Sequence, residues 1–109
     1  MNKESFDIIG NINTIDSYKT CLVGFVADLF STMHKSRGNT AYNDEIIDEI
    51  ADIIICSYLI SKRINISYDK IDKRIMDKLR VGLLEDSEIE RKEHDYASLI
   101  SYLKEGRDI

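Results

Sequence analysis

The strongest constraint on this fold is periodicity: apolar residues recur at steps of three and four through two long segments that no proline interrupts. In the first, Cys21, Leu22, Phe25, Val26, Leu29, Phe30 and Met33 gather on one side of a helix that begins near Asp16 or Ser17. Arg37-Gly38-Asn39-Thr40 is a stop and turn signal, because glycine readily terminates a helix. In the second, Asn43 is placed to cap, and Asp44 and Glu45 suit the positive end of the helix dipole. Ile46, Ile47, Ile50, Ile53, Ile54, Tyr58 and Leu59 then make a broad apolar face extending toward Arg63. Isoleucine also favours strands, so composition alone leaves the class open and the spacing assigns helix.

A short connection at Asn65-Ile66-Ser67, with Ser67 as cap, leads to a third helix lined by Ile71, Ile75, Met76 and Leu79 and ending near Gly82. Ser87-Glu88-Ile89-Glu90 reads as a capping box, Ser87 being the cap and Glu90 occupying the third helical position. The final helix carries Ile89, Tyr96, Leu99, Ile100 and Leu103 and stops before Gly106. Residues 1–15 fit a short helix over Phe6, Ile8, Ile9 and Ile12, ending near the turn-prone Asn11 and Asn13. The expectation is an all-α protein, a compact three- or four-helix bundle. At 109 residues, with no internal repeat, linker or low-complexity tail, a single helical domain over 1–109 is expected.

A hydrophobic content of 43% is ample for a core, and 32% charged residues give a soluble surface. The formal charge of −5 argues against duplex nucleic acid as a partner, because phosphate-backbone binding needs clustered Lys and Arg. It leaves room for a nucleotide, since a metal ion can reconcile acidic side chains with a polyphosphate. Cys21 and Cys56 both lie in apolar helical patterns and are expected as two reduced core residues. The opening residues lack a signal peptide's apolar stretch, and no run approaches membrane-spanning length, so a cytoplasmic location without membrane contact is expected.

The chemistry concentrates at the start of the second helix. Glu45, Glu49, Asp52 and Cys56 follow steps of four, three and four, and Asp48 neighbours Asp52 across one turn. Like charges at such spacings repel, and a divalent cation relieves the repulsion while orienting phosphate oxygens. Ordinary solvation of an acidic first turn is the plainer reading of the same residues. On the first helix, Gly24, Asp28 and Ser31 form a second stripe, and antiparallel packing would bring Asp28 toward Glu49 and Asp52. Two carboxylates from one helix and one from another, with waters, suit octahedral Mg2+.

Asp48-Glu49-Ile50-Ala51-Asp52-Ile53-Ile54 resembles the second acidic motif of the MazG-like, all-alpha nucleotide pyrophosphohydrolases, and the resemblance spans about 19–84. In that family a Glu-Glu-x-x-Glu motif on one helix and a Glu-x-x-Asp motif on the next hold magnesium, which organises a nucleoside triphosphate and an attacking water. The usual products are a nucleoside monophosphate and pyrophosphate. Here Glu49 and Asp52 match the second motif and Asp28 stands at the end of the first, whose leading acidic positions fall on Gly24 and Phe25. The resemblance therefore implies Asp28, Glu49 and Asp52 as metal ligands, with Glu45 beside Glu49 and Asp52 as a catalytic group that positions water. It also implies a homo-oligomer. Losing both leading carboxylates favours the alternative, a noncatalytic module that binds a protein or regulates a nucleotide-handling partner.

Lys35, at the end of the first helix, and Lys78 and Arg80, at the basic end of the third, are candidate phosphate contacts; ordinary helix-end and surface electrostatics explain them equally. His34 and His94 have no metal-ligand spacing with the cysteines, and packing is the plainer role for Tyr58, Tyr68, Tyr96 and Tyr102. No Gly-rich phosphate loop is present, which argues against P-loop ATPase or GTPase chemistry.

Overall fold

A computed structural model describes residues 8–85 and 87–106; Phe6 lies outside them. Among the described residues the structure is all-α, without strands: α1 (Ile8–Ser36), a 3-10 turn (Thr40–Tyr42), α2 (Asn43–Arg63), α3 (Tyr68–Leu84), α4 (Glu88–Glu93) and α5 (Asp95–Gly106). The chain divides into two compact units, Met1–Tyr68 and Asp69–Ile109.

In the first unit, α1 starts about two turns before the expected Asp16 and runs straight through Asn11 and Asn13. Asn11 makes no turn because it serves the tertiary fold: its Nδ2 donates to the Arg63 carbonyl at 2.9 Å. The stop signal behaves as expected, with Arg37 and Gly38 both at positive φ, 44° and 86°. Asn39 rather than Asn43 supplies the cap, accepting from the Ala41 N–H at the head of the 3-10 turn, and Asn43 is the first residue of α2.

Further hydrogen bonds run from Cys56 Sγ to the Tyr18 carbonyl at 3.1 Å and from Thr32 Oγ1 to Glu49 Oε2 at 2.8 Å. Numbers rise along α1 as they fall along α2, so the pair is an antiparallel hairpin. Its contact line alternates steps of four and three. Ile15, Tyr18, Leu22, Phe25, Leu29, Thr32 and Ser36 face Tyr42, Ile46, Glu49, Ile53, Cys56 and Ile60, all at least half-buried. That spacing is the coiled-coil seam.

The seam settles what lies on either flank. Each helical residue is rotated by about 100° from the last. In an antiparallel pair, the residues just after the seam positions therefore project to one side of the hairpin, and those just before project to the other. The first side carries Val23, Phe30 and Met33 with Ile47, Ile50 and Ile54, all exposed. The second carries Gly24, Asp28, Ser31 and Lys35 with Glu45, Asp48 and Asp52, also exposed. One flank is oily and the other acidic.

The end of α2 is pinned locally. Asn65 takes a left-handed conformation (φ 66°), Ile66 N–H donates to the Ser61 carbonyl at 2.8 Å, and Tyr58 meets Tyr68 edge-to-face at 5.6 Å. These two tyrosines pack on each other, as the plainer reading held.

In the second unit, α3 continues through Gly82 to Leu84, so Gly82 is not a stop. A Cβ there would collide with the Tyr96 ring, so the glycine makes room for α5 to pass close by. The expected last helix is broken in two at His94, which adopts the left-handed conformation (φ 57°). Ser87 caps α4 as expected, accepting from Glu90 N–H at 3.1 Å. Glu90 does not reach back to complete a capping box. Its buried carboxylate reaches forward and accepts from Tyr96 N–H at 2.8 Å and Ala97 N–H at 3.3 Å, capping α5 instead. Leu79 and Ile100 are the buried apolar residues here.

Candidate functional site

Glu49 occupies a seam position, where a hydrophobic residue would ordinarily sit. Helical side chains lean toward the N-terminus of their own helix, which on α2 is the direction of the α1 C-terminal half. The Glu49 carboxylate consequently reaches Thr32, itself buried, which donates to Oε2. The other oxygen, Oε1, is buried without a hydrogen-bond partner. A buried carboxylate oxygen left in that state is costly, on the order of 1–3 kcal/mol, and it is an acceptor with capacity to spare. Thr32 went unremarked in the sequence. The signal that could have found it is its place in the four-three seam, one of two polar residues closing an otherwise apolar line.

The remaining expected site residues are distributed as the seam dictates. Asp28, Glu45 and Asp52 lie together on the acidic flank, with Asp48, and all are exposed. Glu49 lies between the helices. Of the proposed ligands, Asp28 and Asp52 thus share a face while Glu49 points inward. Among the described residues no group of three or more His, Cys, Asp or Glu side chains is placed to hold a metal ion. The expected ligands are all carboxylates, the hard oxygen donors that Mg2+ takes, and one of their oxygens, Glu49 Oε1, is buried without a partner. The three-carboxylate convergence is not assembled within this chain.

Phe25 and Gly24 diverge in consequence. Phe25 is half-buried in the seam, where its ring adds to packing between α1 and α2. Gly24 is exposed on the acidic flank, and a Cβ there would meet nothing within 4 Å. Of the two leading motif positions, one has been absorbed into the core and the other is open.

Lys35 is exposed on the same flank as Asp28 and Ser31. Lys78 and Arg80 belong to the second unit and are exposed, with Arg80 Nη1 lying 3.9 Å from Asp77 Oδ1 in a surface pair of small energetic worth. His34 is exposed at the end of α1.

The cysteines depart from expectation. Cys56 is buried, but Cys21 is exposed on the acidic flank. Burial pushes the Cys56 thiol above its ordinary range, and the nearby Cys21 adds to the shift. No helix among the described residues is long and apolar enough to cross a membrane.

Among the described residues the chain is all-helical, and its acidic hairpin carries Glu49 and Asp52 one turn apart. The chain belongs to the MazG-like family, whose model matches residues 8–96. The match extends beyond the 19–84 stretch on which the motif resemblance rested and takes in α1 from its first described residue. No curated protein and no solved structure matches the chain.

Proposed function

We propose that this protein hydrolyses a nucleoside triphosphate to a nucleoside monophosphate and pyrophosphate with Mg2+. The observation that carries the reading is Glu49 Oε1, a buried carboxylate oxygen with no partner, on the helix whose outer flank bears Asp48 and Asp52. Asp28, Glu49 and Asp52 would hold the ion and Glu45 would orient water, while Lys35, on the same flank, would meet phosphate oxygens. When bound, Mg2+ supplies charge neutralisation for the polyphosphate and polarisation of the attacking water. Assembly of the site requires the Glu49 side chain to leave Thr32 and turn toward the acidic flank, a rotamer change for which Oε1 has no bond to break.

A second reading has its own observation. Phe25 in the seam and Gly24 on the flank leave the first helix with Asp28 as its lone carboxylate on that face, which favours a noncatalytic MazG-like module acting on a protein partner.

Pyrophosphate release from a nucleotide panel, titrated with Mg2+, separates the two. The hydrolase reading expects Mg2+-dependent release that Glu49→Gln or Asp52→Asn strongly reduces, while far-ultraviolet circular dichroism stays helical. Folded protein that binds neither Mg2+ nor any nucleotide of the panel sinks that reading and leaves the noncatalytic module.

A further inference from the structure

Cys21 and Cys56 are two nucleophiles that the proposed hydrolysis leaves unused, and the hairpin brings them to one place. Cys56 sits in the seam, 4% exposed, and its Sγ lies 3.1 Å from the Tyr18 carbonyl oxygen of the facing helix. Cys21 is three residues beyond Tyr18 on α1 and is exposed. The γ atom of a helical residue can reach back to the carbonyl three positions earlier. Two serines of this hairpin do so: Ser36 Oγ meets the Met33 carbonyl at 3.0 Å and Ser61 Oγ meets the Tyr58 carbonyl at 2.7 Å. The same rotamer of Cys21 sets its sulfur against the Tyr18 carbonyl oxygen, which Cys56 already contacts. Two sulfurs that share one oxygen lie within about 6 Å of each other. The Cys56 thiol registers this proximity, being pushed up by burial first and by Cys21 second.

We propose that Cys21 and Cys56 form an oxidative modification site, in which Cys21 reacts with a hydroperoxide and Cys56 resolves the product to a disulfide that staples α1 to α2. The roles follow from exposure. The Cys21 sulfur is open to solvent and meets the oxidant, and Cys56 is shielded from it. One turn beyond Cys21, Gly24 presents no side chain and a Cβ there would meet nothing within 4 Å, so the approach from that side is clear. In the first step the Cys21 thiolate attacks one oxygen of hydrogen peroxide. An S–O bond forms, the O–O bond breaks, and the departing hydroxide leaves as water with the thiol's proton. In the second step the Cys56 sulfur attacks the sulfenic sulfur of Cys21. The S–S bond forms as the S–O bond breaks, and hydroxide again leaves as water, with the Cys56 proton. Two thiols have then lost two electrons and one peroxide has become two waters. Cys56 needs no access to bulk reagent for this, because the sulfur it attacks is held beside it. The link closes a loop that takes in the whole turn between the helices, so it restricts the unfolded chain and holds the hairpin shut.

The test exposes the reduced full chain to a small excess of hydrogen peroxide and digests it with trypsin in the absence of reductant. The expected product joins peptide 20–35 to peptide 38–62 within one chain, and dithiothreitol separates them again. The oxidised chain should melt higher than the reduced chain by on the order of 10 °C. Cys21→Ser, which alters only an exposed sulfur, should keep Cys56 as a free thiol under the same exposure. Cys56→Ala should hold Cys21 as a sulfenic acid that dimedone captures; should that variant fail to fold, the peptide map and Cys21→Ser decide alone. Cys21 joined to Cys21 of another chain overturns the proposal, as does Cys21 oxidised to the sulfinic acid while Cys56 stays free. A link that forms only in urea, or one that leaves the melting temperature unchanged, overturns it too. None of these readouts involves a nucleotide or Mg2+, so failure here and failure of the hydrolase reading are told apart.

Discussion

Thr32 Oγ1 donates a 2.8 Å hydrogen bond to Glu49 Oε2 across the α1–α2 seam, leaving the second carboxylate oxygen buried and unpaired. A polar pair near the end of a largely apolar seam helps fix which residues face each other, since sliding one helix toward the apolar stretch would strand both groups among hydrocarbon. It also holds the carboxylate most central to the family motif away from the solvent-facing acids.

Thr32→Val keeps the shape and removes the donor. Both Glu49 oxygens would then lack a partner in the seam, and urea unfolding should show a loss of about 1–3 kcal/mol. Thr32→Val combined with Glu49→Leu should recover most of that loss, because the buried carboxylate leaves with its partner. If the single variant unfolds at the wild-type midpoint, the bond contributes nothing.

Gly24 is an exposed helical glycine with free space around a would-be Cβ. Gly24→Ala should therefore stabilise the chain by about 0.5–1 kcal/mol through helix propensity alone. Gly24→Glu, which restores a carboxylate to the acidic flank, should tighten Mg2+ binding in calorimetric titration; unchanged affinity would count against that flank as the metal face.

The cysteines should differ sharply toward a thiol reagent. Cys21, exposed, should react promptly, whereas Cys56, buried and hydrogen-bonded to the Tyr18 carbonyl, should react only as the hairpin opens. A thiol whose pKa is raised on folding holds its proton longer in the folded state than in the unfolded one. Its stabilising contribution is complete below the thiol's ordinary, unfolded value and is lost as pH rises through the higher folded value. Cys56→Ala should flatten that alkaline decline in thermal-unfolding midpoints, and a decline of unchanged steepness would assign it elsewhere.

Glu90 caps α5 through two backbone N–H groups. Glu90→Ala should cost about 1–2 kcal/mol, with hydrogen exchange rising first at Tyr96 and Ala97. Protection at those amides that matches wild type would remove the capping role. Gly82→Ala should cost less when Tyr96 is also changed to Ala, because the two clash through one ring.

Much of this fold was legible because helical periodicity is a local property. The apolar steps from Cys21 to Met33 and from Ile46 to Leu59 announced the hairpin, and Ser87 and Gly38 marked boundaries that the structure keeps. The misreadings share a cause. Asn11, Gly82 and Glu90 have local meanings as turn, stop and box, yet each answers to a distant group: the Arg63 carbonyl, the Tyr96 ring and the α5 amides.

The sequence by itself determined that the chain is helical, that it carries a Glu-x-x-Asp step on its second long helix, and which family it resembles. Tertiary structure alone decided which side of each helix became seam, and so set Glu49 against Thr32 while turning Asp28, Asp48 and Asp52 outward. The reason is rotational. One residue moves a side chain by about 100° around its helix; both stripes on each helix were apolar enough to be core, and only the packing of α1 on α2 chose between them.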